Sequence, residues 1–263
     1  MVRAVTSGLV RRAHGDAWQV EGLLRESVGG GVGRVRGARL MASGIDHPQW
    51  NNADVDDPES ADVVGMREWY AARSVPWGVR VPAGAPWSHG RFLFRKRLIG
   101  LALSARGLPP RTSVAGLVIR RAGPDDLNAV LHVNLIGFPS EPVLERQWIQ
   151  PHLSSPAVEV ALAELSGEPV GTAYTVRSDG WAGPALYLAG VTVLPEARQR
   201  GIAGAISAWL LTRGTAAGAR VAHLHPDSDQ AARVYARLGF DEVDGFNVYV
   251  DEHYYDRDAR TRI

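Results

Sequence analysis

Val191-Thr192-Val193-Leu194-Pro195-Glu196-Ala197-Arg198-Gln199-Arg200-Gly201-Ile202-Ala203 decides how this chain is read. It continues an almost wholly apolar run, Leu186 to Leu194, which has the pattern of a central buried strand. Pro195 ends the run, and a helix is expected from Arg200 to Ala217, closed by Gly218. The first turn of a helix carries backbone N–H groups without internal partners, at the positive end of its dipole. Such a terminus suits a phosphate or pyrophosphate. Gly201 removes a side chain where a phosphate must approach the backbone, and Ala203 keeps a nearby position small. Arg198 and Arg200 add positive charge. These residues imply a phosphorylated cofactor at the C-terminal end of a central strand. An ordinary strand–turn–helix with exposed arginines is the competing reading. The stretch is not a G-x-x-x-x-G-K-[ST] loop, since it has no Lys, and it is not G-x-G-x-x-G.

Outward from this stretch, strands and helices alternate. Leu117 to Arg121 reads as a short strand, and Gly123-Pro124-Asp125-Asp126 opens a helix through Val133. Glu141 to His152 is a second helix. Val158 to Leu165 and Val170 to Arg177 form a hairpin around Ser166-Gly167-Glu168-Pro169. After the long helix come a strand, Arg220 to His225, a helix, Asp229 to Leu238, and a last strand, Gly245 to Asp251. This order predicts an α/β or α+β class with a mixed central sheet flanked by helices.

The first half is harder to read. A helix is expected over Ala17 to Glu26, a strand over Arg36 to Ile45, and a helix from Asp57-Pro58 to about Arg73. A short strand is expected over Pro76 to Pro82. Arg91 to Ala105 reads as a helix stopped by Gly107 and Pro109-Pro110. The stretch Pro109 to Ser113 is the expected linker, which divides the chain into domains 1–112 and 113–263.

Composition excludes several classes. The 263 residues are 45% hydrophobic and 22% charged, as in a packed globular protein. A net charge of +1 gives no broad field for nucleic acid. There is no Cys, so disulfides, thiolate metal sites and a Cys nucleophile are out. The longest apolar run near the middle, Leu98 to Ala105, is far short of the ~20 residues of a membrane span. The N-terminus lacks the apolar region of a signal peptide, so a cytoplasmic location is expected. Lys96 is the only Lys among 29 basic residues, a bias expected of a high-GC bacterial genome.

Two motifs together carry a family resemblance. Arg198-x-x-Gly201-x-Ala203 after Val191-x-Val193-x-Pro195 resembles the acyl-CoA signature of the GNAT superfamily of N-acetyltransferases. Ala231 to Phe240, with Tyr235-x-x-x-Gly239-Phe240, resembles the family's late helix. The resemblance covers residues 117 to 252 and implies the GNAT fold. It implies acetyl-CoA as co-substrate, no metal, and transfer of the acetyl group to a primary amine of a small molecule through a tetrahedral intermediate. Backbone groups of Val191 and Val193 would pair with the pantetheine arm. The amides of Arg198, Gln199, Arg200, Gly201, Ile202 and Ala203 would hold the pyrophosphate. Tyr235 matches the family Tyr that protonates the leaving thiolate; packing is its other reading. Many relatives carry Asn where Ser228 stands here, and Ser228 is the corresponding cofactor contact. Many also place a Glu on the strand before the loop, but Leu186 to Val193 contains no acid. The base is unassigned: a water chain, Glu141, Asp179 or a histidine are the alternatives, and an amine arriving neutral needs none. The partners implied are a small amine and neither nucleic acid nor membrane; a homodimer is left open.

Residues 17 to 110 echo the second half in element order. Trp50 to Val55 and Val75 to Val79 resemble the degenerate N-terminal half of tandem GNAT proteins. That half has no pyrophosphate motif. A silent acyl-CoA-binding sensor or scaffold is the alternative to an enzyme. His223-Leu224-His225-Pro226-Asp227 has the look of a metallohydrolase motif, but ordinary sheet-end histidines are the simpler reading. Gly29 to Gly33 has no strand before it and reads as a hairpin or loop, not a phosphate loop. Asn52-x-Asp54-x-Asp56 lacks the Gly and the Glu of a calcium loop. Trp50, Trp69, Trp77 and Trp87 read as core or pocket lining, and Arg95-Lys96-Arg97 as a solvated face.

Overall fold

The computed structural model describes residues 5–104, 113–138 and 140–251. In chain order the elements are α1 (Ser7–Leu23), β1 (Gly31–Val35), β2 (Ala38–Ala42), β3 (Asn52–Val55), α2 (Val63–Ala71), β4 (Gly78–Pro82) and β5 (Arg91–Ala102). They continue with β6 (Leu117–Arg121), α3 (Leu127–Gly137), α4 (Pro142–Ile149), β7 (Val158–Leu165), β8 (Glu168–Gly180) and β9 (Gly183–Val193). The last four are α5 (Ile202–Ala216), β10 (Val221–Leu224), α6 (Asp229–Ala236) and β11 (Asp241–Val250). The class is mixed α/β, as the alternation of elements predicts.

The chain forms two compact units: residues 1–17 with 98–243, and residues 18–97 with 244–263. This corrects the single division at residue 112. The borders fall inside α1, β5 and β11, because each unit completes its sheet with a strand from the other half of the chain. Most of the expected linker, residues 109–112, lies outside the described residues, as do Gly107 and the Pro109-Pro110 stop.

In the larger unit, β6, β7, β8 and β9 are successively antiparallel. Then β10 joins β9 in parallel through α5, and residues 99–102 of β5 pair antiparallel with β10. Residue parity assigns the two faces. Leu186, Leu188, Ala222 and Leu224 point into the main core with Ile206 and Leu210 of α5 and Tyr235 of α6. Ala185 and Val221 point the other way and pack on Ala13 of α1. Tyr174 and Thr192 share that second face. The Tyr174 hydroxyl accepts from Trp148 Nε1 of α4 at 3.1 Å, and Thr192 lies against Gly137 of α3.

The smaller unit repeats the scheme in short form. β1, β2 and β3 are antiparallel, β4 joins β3 in parallel through α2, and β11 pairs antiparallel with β4. Its core includes Leu40, Met66, Tyr70, Trp77 and Val79, with Tyr70 stacked on Trp77 at 4.5 Å.

Three expectations in the first half are corrected. Arg91–Ala102 is a strand, not a helix; it lies between β11 and β10, with residues 99–102 paired to β10, which the local pattern cannot reveal. The helix expected at Ala17 begins at Ser7, because its buried stripe is Val10, Ala13 and Ala17, and alanines give a weak apolar signal. Asp57 begins a turn, accepting from the Ser60 hydroxyl at 2.6 Å, and the helix starts at Val63 behind Asp62. The glycine run enters β1, the first strand of a hairpin.

Candidate functional site

The parallel ladder between β9 and β10 is short: Ala185↔Val221, Leu186↔Ala222 and Tyr187↔His223. Beyond Tyr187, β9 runs on to Val193 paired with β8 alone. Its pairing with β8 also shifts, from Tyr174↔Ala189 to Thr172↔Thr192, so Gly190 and Val191 form a bulge, with Gly190 at φ +60°. A bulge bends the strand and re-aims its polar groups. Two central strands therefore part at their C-terminal ends, leaving backbone N–H and C=O groups of β9 on the side where β10 has stopped. Val191 sits in the bulge. Val193 follows it, and both pack against the α5 side of the core.

The loop after β9 folds tightly. The Arg198 Nε donates to the Val193 carbonyl at 3.0 Å and ties the loop to the strand end. This uses part of the Arg198 side chain, and the Val193 carbonyl, for structure. Gln199 adopts φ +62° and Gly201 φ +84°. Arg198, Gln199, Arg200 and Gly201 are exposed; the Ile202 side chain is in the core, so this residue offers only its amide. Gly201 is the N-cap of α5 and gives it no side-chain cap. The first intrahelical bond there runs from Ala205 N to the Gly201 carbonyl at 3.0 Å, so the amides of Ile202, Ala203 and Gly204 precede it. A Cβ at Gly201 would meet nothing nearer than Val114 Cγ2 at 3.8 Å. The helix start therefore has open space beside Gly201 and no side-chain cap on its first amides.

On the same face α6 brings Tyr235, which is 7% exposed and lies edge-on to Phe240 at 5.9 Å. Burial, and then the charge of Asp227, hold its hydroxyl above the ordinary tyrosine range, so it keeps its proton well past neutrality. Ser228 caps α6: its Oγ accepts from Ala231 N at 3.1 Å. The oxygen thus has a structural task, and the hydroxyl proton remains to donate. All ten sequence-derived site residues belong to the larger unit, on β9, on the loop into α5 and its first turn, and on α6 with its N-cap.

The other face carries groups that sequence reading did not assemble. His14 of α1 lies 5.1 Å from Tyr187 and 5.6 Å from His223, ring to ring. His223 stacks on Tyr187 at 5.2 Å and is fully buried. Burial, then the neighbouring His225, push its pKa down to about 3 against an opposing backbone interaction at Leu186, so it is neutral. Glu145 of α4 is also buried and missed. Its Oε1 accepts from Asn134 Nδ2 and its Oε2 from the Ser140 hydroxyl, both at 3.1 Å. Burial raises its pKa. An acid inside an amphipathic helix, three residues before Trp148, was the only available signal. Among the described residues no group of three or more His, Asp or Glu is placed to hold a metal ion. No described helix is long and apolar enough to cross a membrane.

Comparison with known proteins gives a consistent picture. Residues 128–240 match the model of the Acetyltransferase (GNAT) family. The chain resembles a GCN5-related N-acetyltransferase from Kribbella flavida, with a TM-score of 0.69 and 19% identity over 93% of this chain and 97% of that one. It also resembles a functionally unknown conserved protein from Staphylococcus epidermidis, at TM-score 0.61 and 17% identity, over 85% of this chain and 94% of that one. A third likeness is to a GCN5-related N-acetyltransferase from Sphaerobacter thermophilus, at TM-score 0.57 and 18% identity, over 82% and 76%. At these identities the likeness is one of fold. No curated protein sequence matches the chain.

Proposed function

We propose that this chain, whose residues 128–240 match the model of the GNAT acetyltransferase family, moves the acetyl group of acetyl-CoA to the primary amine of a small molecule, in the cytoplasm of a bacterium. The observation that carries this reading is the parting of β9 from β10 beside a bulge, directly before an uncapped helix start at Gly201. An extended pantetheine arm can pair with the exposed edge of β9 near Val191 and Val193. The loop from Arg198 to Ala203 then meets the pyrophosphate with amides, a helix dipole and arginine charge. Ser228 donates to the cofactor from the start of α6.

With the thioester in the gap, the neutral amine attacks its carbonyl carbon. The C–N bond forms, and the C–S bond breaks as the tetrahedral oxyanion collapses. The departing sulfur takes the Tyr235 proton, which burial keeps on the phenol in the free protein. The extra proton left on the nitrogen by C–N bond formation is lost, ultimately to solvent, and solvent returns a proton to the tyrosinate. The smaller unit is a degenerate GNAT-like half without a cofactor loop.

The test is release of free thiol from acetyl-CoA across a panel of primary amines. Release with at least one amine is expected. Tight acetyl-CoA binding with no release for any amine would instead mark a sensor or scaffold.

A further inference from the structure

Between Leu186 and Val193 there is no carboxylate, so a side chain serving the amine as base would come from a neighbouring element. Asp179 pairs with Pro184, at the far end of β9 from the gap. Glu141 is exposed just before α4. His225 is placed differently. It is the first residue beyond β10, so it overhangs the point where β9 and β10 part. Leu224 points into the core with Tyr235, so His223 and His225 point to the opposite face. The His225 ring lies 6.1 Å from Tyr187 and 6.3 Å from His14, and its side chain is one-quarter exposed. Its Nδ1 is 3.6 Å from Asp227 Oδ1, an electrostatic rather than a hydrogen-bonding distance.

We propose that His225, steadied by Asp227, takes the amine proton on the face of the sheet opposite Tyr235. This rests on the acetyltransferase reading and completes its proton balance. The amine enters as its ammonium form, loses one proton to solvent, and attacks. As the C–N bond forms, the nitrogen's second proton passes to His225 Nε2. The C–S bond breaks, and Tyr235 protonates the sulfur. His225 then releases its proton to solvent, and the tyrosinate regains one. Net, one proton is released for each ammonium acetylated. Asp227 favours the proton on Nδ1, which directs Nε2 to the substrate. Its charge reaches Tyr235 as well, since it helps to hold that phenol protonated. Among the described residues, the groups facing His225 include His14 on α1, Tyr187 on β9, the buried neutral His223 on β10, and Asp227; Tyr235 lies across the sheet.

The experiment is the pH dependence of kcat/KM with an accepted amine, for wild type, His225→Gln, Asp227→Asn and Glu145→Gln, with acetyl-CoA affinity measured by calorimetry. His225→Gln should lower kcat/KM about 10²-fold near neutrality and flatten the acidic limb, with affinity unchanged. Asp227→Asn should move that limb to lower pH, since loss of an anion favours neutral imidazole. A purely structural His225 would leave the shape of the profile alone. An unaltered limb in His225→Gln, or its removal by Glu145→Gln, overturns the assignment while the transferase reading stands. If wild type releases no thiol with any amine, both fall together.

Discussion

Gly201→Glu separates a pyrophosphate cradle from an ordinary exposed turn. Gly201 sits at φ +84° and ψ 3°, and a Cβ there meets only Val114 Cγ2 at 3.8 Å. The fold therefore has room for a side chain. The conformational cost of a left-handed non-glycine residue is about 1–2 kcal/mol. A carboxylate near a helix N-terminus returns about 0.3–1 kcal/mol of that. The net loss, about 1 kcal/mol, lowers Tm by a few degrees and leaves the protein folded. Binding suffers far more. Two like charges about 4 Å apart at an effective dielectric near 20 repel by about 4 kcal/mol. The loop is exposed, so about half of that is the safer figure. At 1.4 kcal/mol per decade, affinity for acetyl-CoA should fall between about 30-fold and 10³-fold. Gly201→Ala has the same backbone strain without charge, and should lose less than about tenfold. Calorimetry on all three proteins is the assay, and wild type should take up one equivalent per chain. The smaller unit's matching helix, α2, is closed by Asp62, whose Oδ1 accepts from Gly65 N at 2.9 Å; its carboxylate repels phosphate. A folded Gly201→Glu protein with wild-type affinity would refute the cradle, and two equivalents in wild type would refute the division of labour.

Tyr235→Phe should keep the fold and the acetyl-CoA affinity but slow turnover about 10²-fold or more near neutrality, an effect that shrinks as pH approaches the thiol pKa of about 8.5. Equal turnover at pH 7 would make Tyr235 a packing residue. His223 is buried with its pKa pushed down to about 3. The unfolded chain takes up a proton below about 6.5 while the folded one does not, so this stability is present above pH 6.5 and lost as pH falls toward 3. The loss amounts to roughly 4 kcal/mol over that window, so His223→Phe, which keeps a ring on Tyr187, should flatten the decline in denaturation midpoint between pH 7 and 4. Parallel curves for the two proteins would overturn this.

What could be read from sequence divides along the range of the interactions. In the second half, each strand and helix from Leu117 to Phe240 announces itself by local pattern, because apolar runs, turn residues and caps are neighbours in sequence. The turn from Arg198 to Ala203 between β9 and α5 is placed by sequence for the same reason, since strand end, turn and helix start are consecutive. Arg91–Ala102 is not, since what makes it a strand is pairing with β10 and β11, both far along the chain. His14, His223 and His225 were also separate in sequence; only the packing of α1 on Ala185 and Val221 brings their rings together.

The two units differ at the same two points of a shared topology. In each, a parallel ladder of three pairs joins the strands before and after a helix. In the larger unit the third pair is Tyr187↔His223, a stacked neutral pair at the mouth of an opening. In the smaller unit the third pair is Asp54↔Arg80, a buried bidentate ion pair with both contacts at 2.7 Å, and the guanidinium lies 4.3 Å from the Trp18 ring. Breaking such a pair leaves an uncompensated buried charge at a cost of about 3–5 kcal/mol, so this pair ties the ends of β3 and β4 together. Asp62 then closes the helix start that Gly201 leaves open in the other unit. On the proposed reading, the cofactor goes to the unit whose helix start is uncapped and whose third pair carries no ion pair, and not to the unit where a buried ion pair and a carboxylate cap stand in those places.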